Sequence, residues 1–231
     1  MNYLELVNKV DQLNDHYKDT DSFTLLRDLA LEFPSLTLVS SFGAESAVLL
    51  HLVSRVNINI PVVLIDTGKL FEETLQYKDI LKHEFGLKNI KSFKPDTSML
   101  NAKDPHGIAH ESRPDLCCFI RKVEPLNRAL KNTNIWISGR KKYQSASRSN
   151  IPLFELDDMR IKVNPLANWS RDDMAYYIEK YKLPEHPLLK DNFLSIGCMP
   201  CTTAVGKDED PRAGRWRGQV KTECGIHGNT L

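Results

Sequence analysis

The sequence has no charge excess of either sign. Lys and Arg total 31 against 30 Asp and Glu, a formal net charge of +1. That balance excludes a polycation built to grip nucleic acid and an acidic disordered chain. No run approaches the roughly 18 apolar residues of a membrane span. The opening MNYLELVNKVDQLNDHYKD has acids and amides throughout and no apolar core region. It does not read as a signal peptide, so the cytoplasm is the expected compartment. Internal repeats and low-complexity segments are missing too. Cysteine is scarce and odd in number: Cys117, Cys118, Cys198, Cys201 and Cys224. An odd count denies full disulfide pairing, and cytosolic redox conditions oppose a disulfide framework. With 231 residues and 41% hydrophobic side chains, the chain suits one large domain.

The apolar pattern repeats strand then helix. Residues 1–33 read as two helices: Leu4, Val7, Val10 and Leu13 fall on one face of the first, and Asp21 or Ser22 caps the second. LTLVSS (36–41) and PVVLIDT (61–67) read as strands, each followed by a helix, at 44–56 and 71–85. A weaker strand is expected near 89–93. Residues 96–113, with Pro105 and Gly107, read as loop. A helix is expected over about 115–131 and a strand at 134–139. A polar, basic loop follows at 140–150, then a short hairpin and a helix over 170–181, opened by a Ser170–Asp173 capping box. Continuous apolar strands alternating with helices predict an α/β fold: a parallel sheet covered on both faces. The expected division is a helical segment over 1–35, an α/β unit over 36–205 and a loop-rich segment over 206–231.

Chemistry concentrates at strand ends. SSFGAES (Ser40, Ser41, Phe42, Gly43, Ala44, Glu45, Ser46) sits between a predicted strand and a predicted helix. Backbone N–H groups and the positive helix end favour an anion at such a place. The Gly-Lys-Ser/Thr ending of a Walker A loop is absent. The second strand also ends in a polar turn, Ile65, Asp66, Thr67 and Gly68. Two polar loops at neighbouring strand ends favour a nucleotide site over an ordinary pair of turns.

Cys117 and Cys118 are adjacent, and Cys198 and Cys201 form a C-x-x-C. Four thiolates suit a tetrahedral zinc or an iron–sulfur cluster. Adjacent cysteines reach a single ion awkwardly, whereas a cubane offers separated iron corners, so [4Fe–4S] is favoured. A buried cysteine pair beside a redox C-x-x-C remains the alternative. Cys224, in KTECGIHG, has Lys221 and His227 close in sequence, and a nearby cation raises a thiol's thiolate fraction. The plain alternative is an incidental cysteine. Arg121 and Lys122 follow the cysteine pair. Lys141, Lys142 and Arg148 follow Gly139, and Arg212, Arg215 and Arg217 precede Cys224. Basic groups beside three candidate segments suit a multiply anionic small ligand. His106 and His110 are four apart, but Pro105 and Gly107 argue against a regular helix there and so against a metal pair.

Taken in order, SSFGAESAVLLHLV, VVLIDTGKLFEETLQY, CCFIRKVEPL, ISGRKKYQSASR, GCMPCT, DPRAGRW and KTECGIH resemble the assimilatory adenylyl-sulfate reductases, within the phosphoadenylyl-sulfate (PAPS) reductase family. The matching stretches run from residue 40 to 227. The resemblance implies a single Rossmann-like domain, adenine nucleotide alpha hydrolase-like, with a mostly parallel sheet flanked by helices and a loop-rich C-terminal segment. It implies reduction of adenosine 5′-phosphosulfate (APS) to sulfite and AMP, in sulfate assimilation and cysteine biosynthesis. PAPS, or both nucleotides, is the alternative substrate. A nucleotide sensor binding a cluster or zinc is the non-enzymatic one. Cys224 would be the nucleophile, forming an S-sulfocysteine that a separate reduced thioredoxin resolves from a mobile tail. Lys122, Arg148, Arg212, Arg215 and His227 would face the phosphosulfate. SSFGAES, Ile65 to Gly68 and Gly139 would hold adenosine and phosphate. Cys117, Cys118, Cys198 and Cys201 would bind one [4Fe–4S] cluster with an electrostatic and structural role. A homo-oligomer follows by analogy. Lys141 and Lys142 stand where the family has arginines, and weaker binding is expected there.

Overall fold

The computed structural model describes residues 2–219, 221 and 223–226. Two helices lead: α1 (Tyr3–Tyr17), opened by an Asn2–Glu5 capping box, and α2 (Ser22–Glu32), capped by the Asp21 carboxylate. Then come β1 (Thr37–Val39), α3 (Ser46–Val56), β2 (Val62–Ile65), α4 (Glu72–Glu84) and β3 (Ile90–Phe93). Next are α5 (Thr97–Lys103), α6 (Ala109–Ser112), α7 (Pro114–Cys118), a π-helical turn over Phe119–Val123, and α8 (Glu124–Ala129). The last elements are β4 (Ile135–Ile137), β5 (Phe154–Asp157), β6 (Arg160–Val163) and α9 (Arg171–Tyr181).

The six strands form one sheet in the order β3-β2-β1-β4-β6-β5, parallel except for β5 against β6. Both faces are covered, as the unbroken apolar strands predict. Val62, Leu64, Ile135 and Ile137 join the larger core with α1, α2, α3 and α9. Val63, Ile65 and Trp136 point the other way, onto Leu126 and Leu130. Strand order reverses between β1 and β4. Chain leaving their carboxyl ends diverges there and opens a crevice.

Three local expectations are corrected. The buried face of α1 is Leu6, Val10, Leu13 and Tyr17, and Leu4 is exposed. Residues 96–113 are not plain loop. The Asp96 side chain accepts from the Met99 amide and caps α5, so the breakers Pro105 and Gly107 separate two short helices. The basic loop 140–150 is more ordered than a plain loop: it folds into two 3₁₀ turns, with Arg140, Lys141 and Arg148 buried.

Candidate active site

A cavity of about 450 Å³ fills the crevice. It is within the size range of small-ligand sites. From the loop after β1, Ser40, Ser41, Gly43, Ala44, Glu45 and Ser46 line it. Phe42 does not: it is buried with φ +49°, and its amide donates to Ser40 Oγ, 3.2 Å, which folds the loop back. The Glu45 carboxylate leaves the N-terminus of α3 uncapped and turns to the basic loop. It meets Lys141 Nζ at 2.8 Å, Tyr143 Oη at 2.5 Å and Gln144 Nε2 at 3.0 Å. Burial would raise its pKa, but Lys141 first and then these hydrogen bonds hold it below the ordinary carboxylate value.

From the loop after β2, Ile65 and Thr67 line the cavity, but Asp66 and Gly68 do not. Asp66 Oδ1 accepts from the Gly68 amide at 3.0 Å, and Gly68 sits at φ +67°. These two residues shape a turn directed at the cysteines: Thr67 Oγ1 lies 3.3 Å from Cys198 Sγ, and the Thr67 carbonyl accepts from Arg121.

Past β4, Gly139, Arg140, Lys141 and Arg148 reach the same space. Arg140 is ion-paired with Glu155. Lys142 stays outside the cavity, donating to Asn168 Oδ1 at 2.7 Å. Arg171, at the start of α9, stacks over Tyr143 at 4.8 Å. The C-terminal stretch closes the site with Arg212, Arg215, Glu223, Cys224 and Ile226. Arg148 donates from Nε and Nη2 to the two Glu223 carboxylate oxygens, each at 2.8 Å, and Arg212 adds a 3.5 Å contact. Arg215 lies across Gly197 and stacks on Trp216 at 4.4 Å.

Cys224 is half-buried. Burial would raise its thiol pKa. Lys122, then a hydrogen bond from the Ile226 amide, then Arg215 outweigh that and hold it below the ordinary thiol value. Lys122 in turn is raised despite burial, chiefly by Cys198 and Cys224. Among the described residues, neither Lys122 nor Arg215 has a carboxylate partner. His227 lies outside the described residues.

The other four cysteines, none in a disulfide, line a second, smaller cavity with Lys69, His110 and Arg121. Lys122 and Trp216 line both cavities. The π-helical turn follows Cys118 directly, a local widening common at functional sites. Arg121 Nη2 pairs with buried Asp104 at 2.8 Å, while Arg121 Nε and His110 Nδ1 are buried without partners. Among the described residues, no three His, Cys, Asp or Glu side chains converge tightly enough to hold a single metal ion. The four thiols thus share one cavity wall with these unpartnered nitrogens.

Fourteen of the expected ligand-facing and nucleophilic residues thus meet in one cavity. Sequence reasoning left out Glu223, Tyr143, Gln144 and Arg171. The only signal for Glu223 was its place beside Cys224.

A family model described as the phosphoadenosine phosphosulfate reductase domain matches residues 35–204. An adenosine 5′-phosphosulfate reductase of Mesorhizobium japonicum is 50% identical over 189 residues, 82% of this chain and 74% of that protein. The protein of the same name from Streptomyces coelicolor is 36% identical over 227 residues, 97% of this chain and 95% of its own. Among solved structures, the phosphoadenylyl-sulfate reductase of Candida auris, in a phosphate complex, aligns with a TM-score of 0.72 at 27% identity. It covers 85% of this chain and 96% of that one.

Proposed function

The chain belongs to the phosphoadenosine phosphosulfate reductase domain family, and from that membership we propose that it reduces adenosine 5′-phosphosulfate to sulfite and AMP. The observation that carries the reading is Cys224. Its thiol lies on the wall of a nucleotide-sized cavity, and its two strongest cationic influences, Lys122 and Arg215, have no carboxylate partners among the described residues. The relatives from M. japonicum and S. coelicolor carry the name of that activity.

The chemistry follows from the electrophile. The Cys224 thiolate attacks the sulfur of the phosphosulfate. An S–S bond forms, the S–O bond to phosphate breaks, and the electron pair leaves on the phosphate oxygen of AMP. AMP is a stable anion, so strong general-acid help is unnecessary. The requirements are a thiolate and cations that offset repulsion between two anions. Lys122 and Arg215 meet the second. The S-sulfocysteine is then attacked at Cys224 Sγ by a thiolate of reduced thioredoxin, which releases sulfite. The partner's second thiol resolves the mixed disulfide, supplies the other electron of the pair and restores Cys224.

Cys117, Cys118, Cys198 and Cys201 would hold a [4Fe–4S] cluster, supported by their place on the wall of one cavity and by the unpartnered Arg121 Nε. When bound, such a group supplies a covalent tie between α7 and the C-x-x-C turn and a fixed charge beside Lys122.

The test is the intact mass of the protein after anaerobic incubation with APS and no reductant. A single sulfite-sized addition, absent in Cys224→Ser, is expected. A cluster-loaded protein that gains no mass refutes the covalent route. PAPS is the second reading, favoured by the likeness to the C. auris enzyme. Comparing turnover of the two nucleotides decides between them.

A further inference from the structure

Three described side chains of the terminal stretch are anchored, each to a different part of the domain. Lys221 pairs with Asp115 on α7, the helix that carries the cysteine pair. Glu223 grips Arg148 with both carboxylate oxygens and touches Arg212. Ile226 packs onto the apolar cluster of Val63, Ile65 and Trp136 beneath the sheet. Cys224 lies between the second and third anchors. With the stretch docked, the cavity still measures about 450 Å³, so the Glu223 carboxylate does not fill the ligand space.

We propose that Glu223 is the positioning residue of the nucleophile: its bidentate pair with Arg148 sets where Cys224 stands, and Arg148 serves as the docking point of the terminal stretch. This rests on the assigned reaction only for what Cys224 attacks. The pairing explains how Arg148 is spent. Nε and Nη2 go to Glu223, and Nη1 donates to Gln144 Oε1 at 2.5 Å. Three of the five N–H donors of the guanidinium are therefore used before any ligand arrives. A fork-to-fork pair fixes direction as well as distance, which a single-point contact does not. Asp at 223 would keep the charge but shorten the reach by one methylene. Lys122 and Arg215, bound to no carboxylate among the described residues, are left to meet the ligand's anionic end.

The experiment uses the full, cluster-loaded chain as wild type, Glu223→Gln and Glu223→Asp. Three quantities are read: the single-turnover rate of adduct formation with APS, the Kd of AMP, and hydrogen exchange of the C-terminal peptide. Glu223→Gln is expected to slow adduct formation by roughly 10- to 100-fold, the cost of a misplaced reacting group. It should leave the AMP Kd within about threefold, because the ligand's own contacts remain. It should also speed exchange across the peptide, and Glu223→Asp should recover part of the rate. An unchanged rate in Glu223→Gln overturns the proposal. So does AMP binding tightened tenfold or more, since the carboxylate would then be a competitor for the ligand's place on Arg148. If wild type forms no adduct, the assigned reaction fails, and the exchange and AMP readouts still decide the docking role.

Discussion

Gly197 offers the sharpest test of how the cationic end of the cavity is built. A methyl group on its Cα would overlap the Arg215 guanidinium, meeting Cζ and both terminal nitrogens. To reach ordinary van der Waals contact, the guanidinium must retreat by roughly 1 Å. The colliding atoms are the far end of a flexible side chain, so the fold can absorb the change at about 1–2 kcal/mol. Catalysis should absorb it less well. Arg215 stacks on Trp216 and holds the Cys224 thiol down. Displacing a charge of that kind by 1 Å costs roughly 10- to 100-fold. The assay is the single-turnover rate of adduct formation, with thermal unfolding measured in parallel. Gly197→Ala is expected to lose that rate with a modest fall in Tm. The double variant Gly197→Ala, Arg215→Ala should be no slower than Arg215→Ala alone, because both changes act through one side chain. Additive losses would refute the reasoning, as would a full rate in Gly197→Ala.

Three further outcomes follow from buried charge. His186 is buried against Thr74, and burial depresses its pKa from the ordinary imidazole value to about 4. It therefore folds neutral. Its contribution is fully present above about pH 6.5 and is lost as pH falls toward 4, by up to about 3 kcal/mol. His186→Gln should flatten that part of the pH–stability curve, and an unchanged curve would count against it. Asp104→Asn should cost about 3–5 kcal/mol in urea unfolding, because it leaves Arg121 charged and unpaired in a site where both side chains are under a tenth exposed. Lys122→Met should move the pH midpoint of Cys224 alkylation upward, since Lys122 is the first of the groups that lower that thiol. An unmoved or lower midpoint would contradict the assignment.

Three inner strands were legible because they are largely buried on both faces and so read as unbroken apolar runs. β1, β2 and β4 all fall inside their expected segments. The crevice was legible for a related reason: polar residues follow two of those runs immediately. What stayed hidden depends on partners distant in the chain. The basic run after Gly139 looks like a solvated surface until Glu45, nearly a hundred residues earlier, buries Lys141, and Glu155 buries Arg140. The α1 face was misassigned because leucine spacing alone cannot tell which of two adjacent apolar stripes faces the core; Leu6 and Val10 do, and Leu4 is exposed. The π-helical turn after Cys118 carries no sequence signal at all, since it reflects a helix yielding to its surroundings.

The near-zero net charge and the strongly basic cavity are one design. Most cations at the cavity wall carry an internal acid: Arg140 with Glu155, Lys141 with Glu45, Arg148 and Arg212 with Glu223. These pairs build walls; they have little charge left for a ligand. Arg171 stacks on Tyr143 at the rim. Among the described residues, Lys122, Arg171 and Arg215 line the cavity without a carboxylate partner, and Lys122 and Arg215 are the two that depress the Cys224 thiol. Of the three, Lys122 and Arg215 stand where the thiol is, and Arg171 lies over the Tyr143 ring. A multiply anionic ligand entering the crevice is drawn toward the thiol's end, and its opposite end meets neutralised, hydrogen-bonding surface. Orientation of the ligand and activation of the thiol therefore come from the same two side chains. Removing either should reduce anion affinity and thiolate fraction together, and a variant that loses only one of the two would break that link.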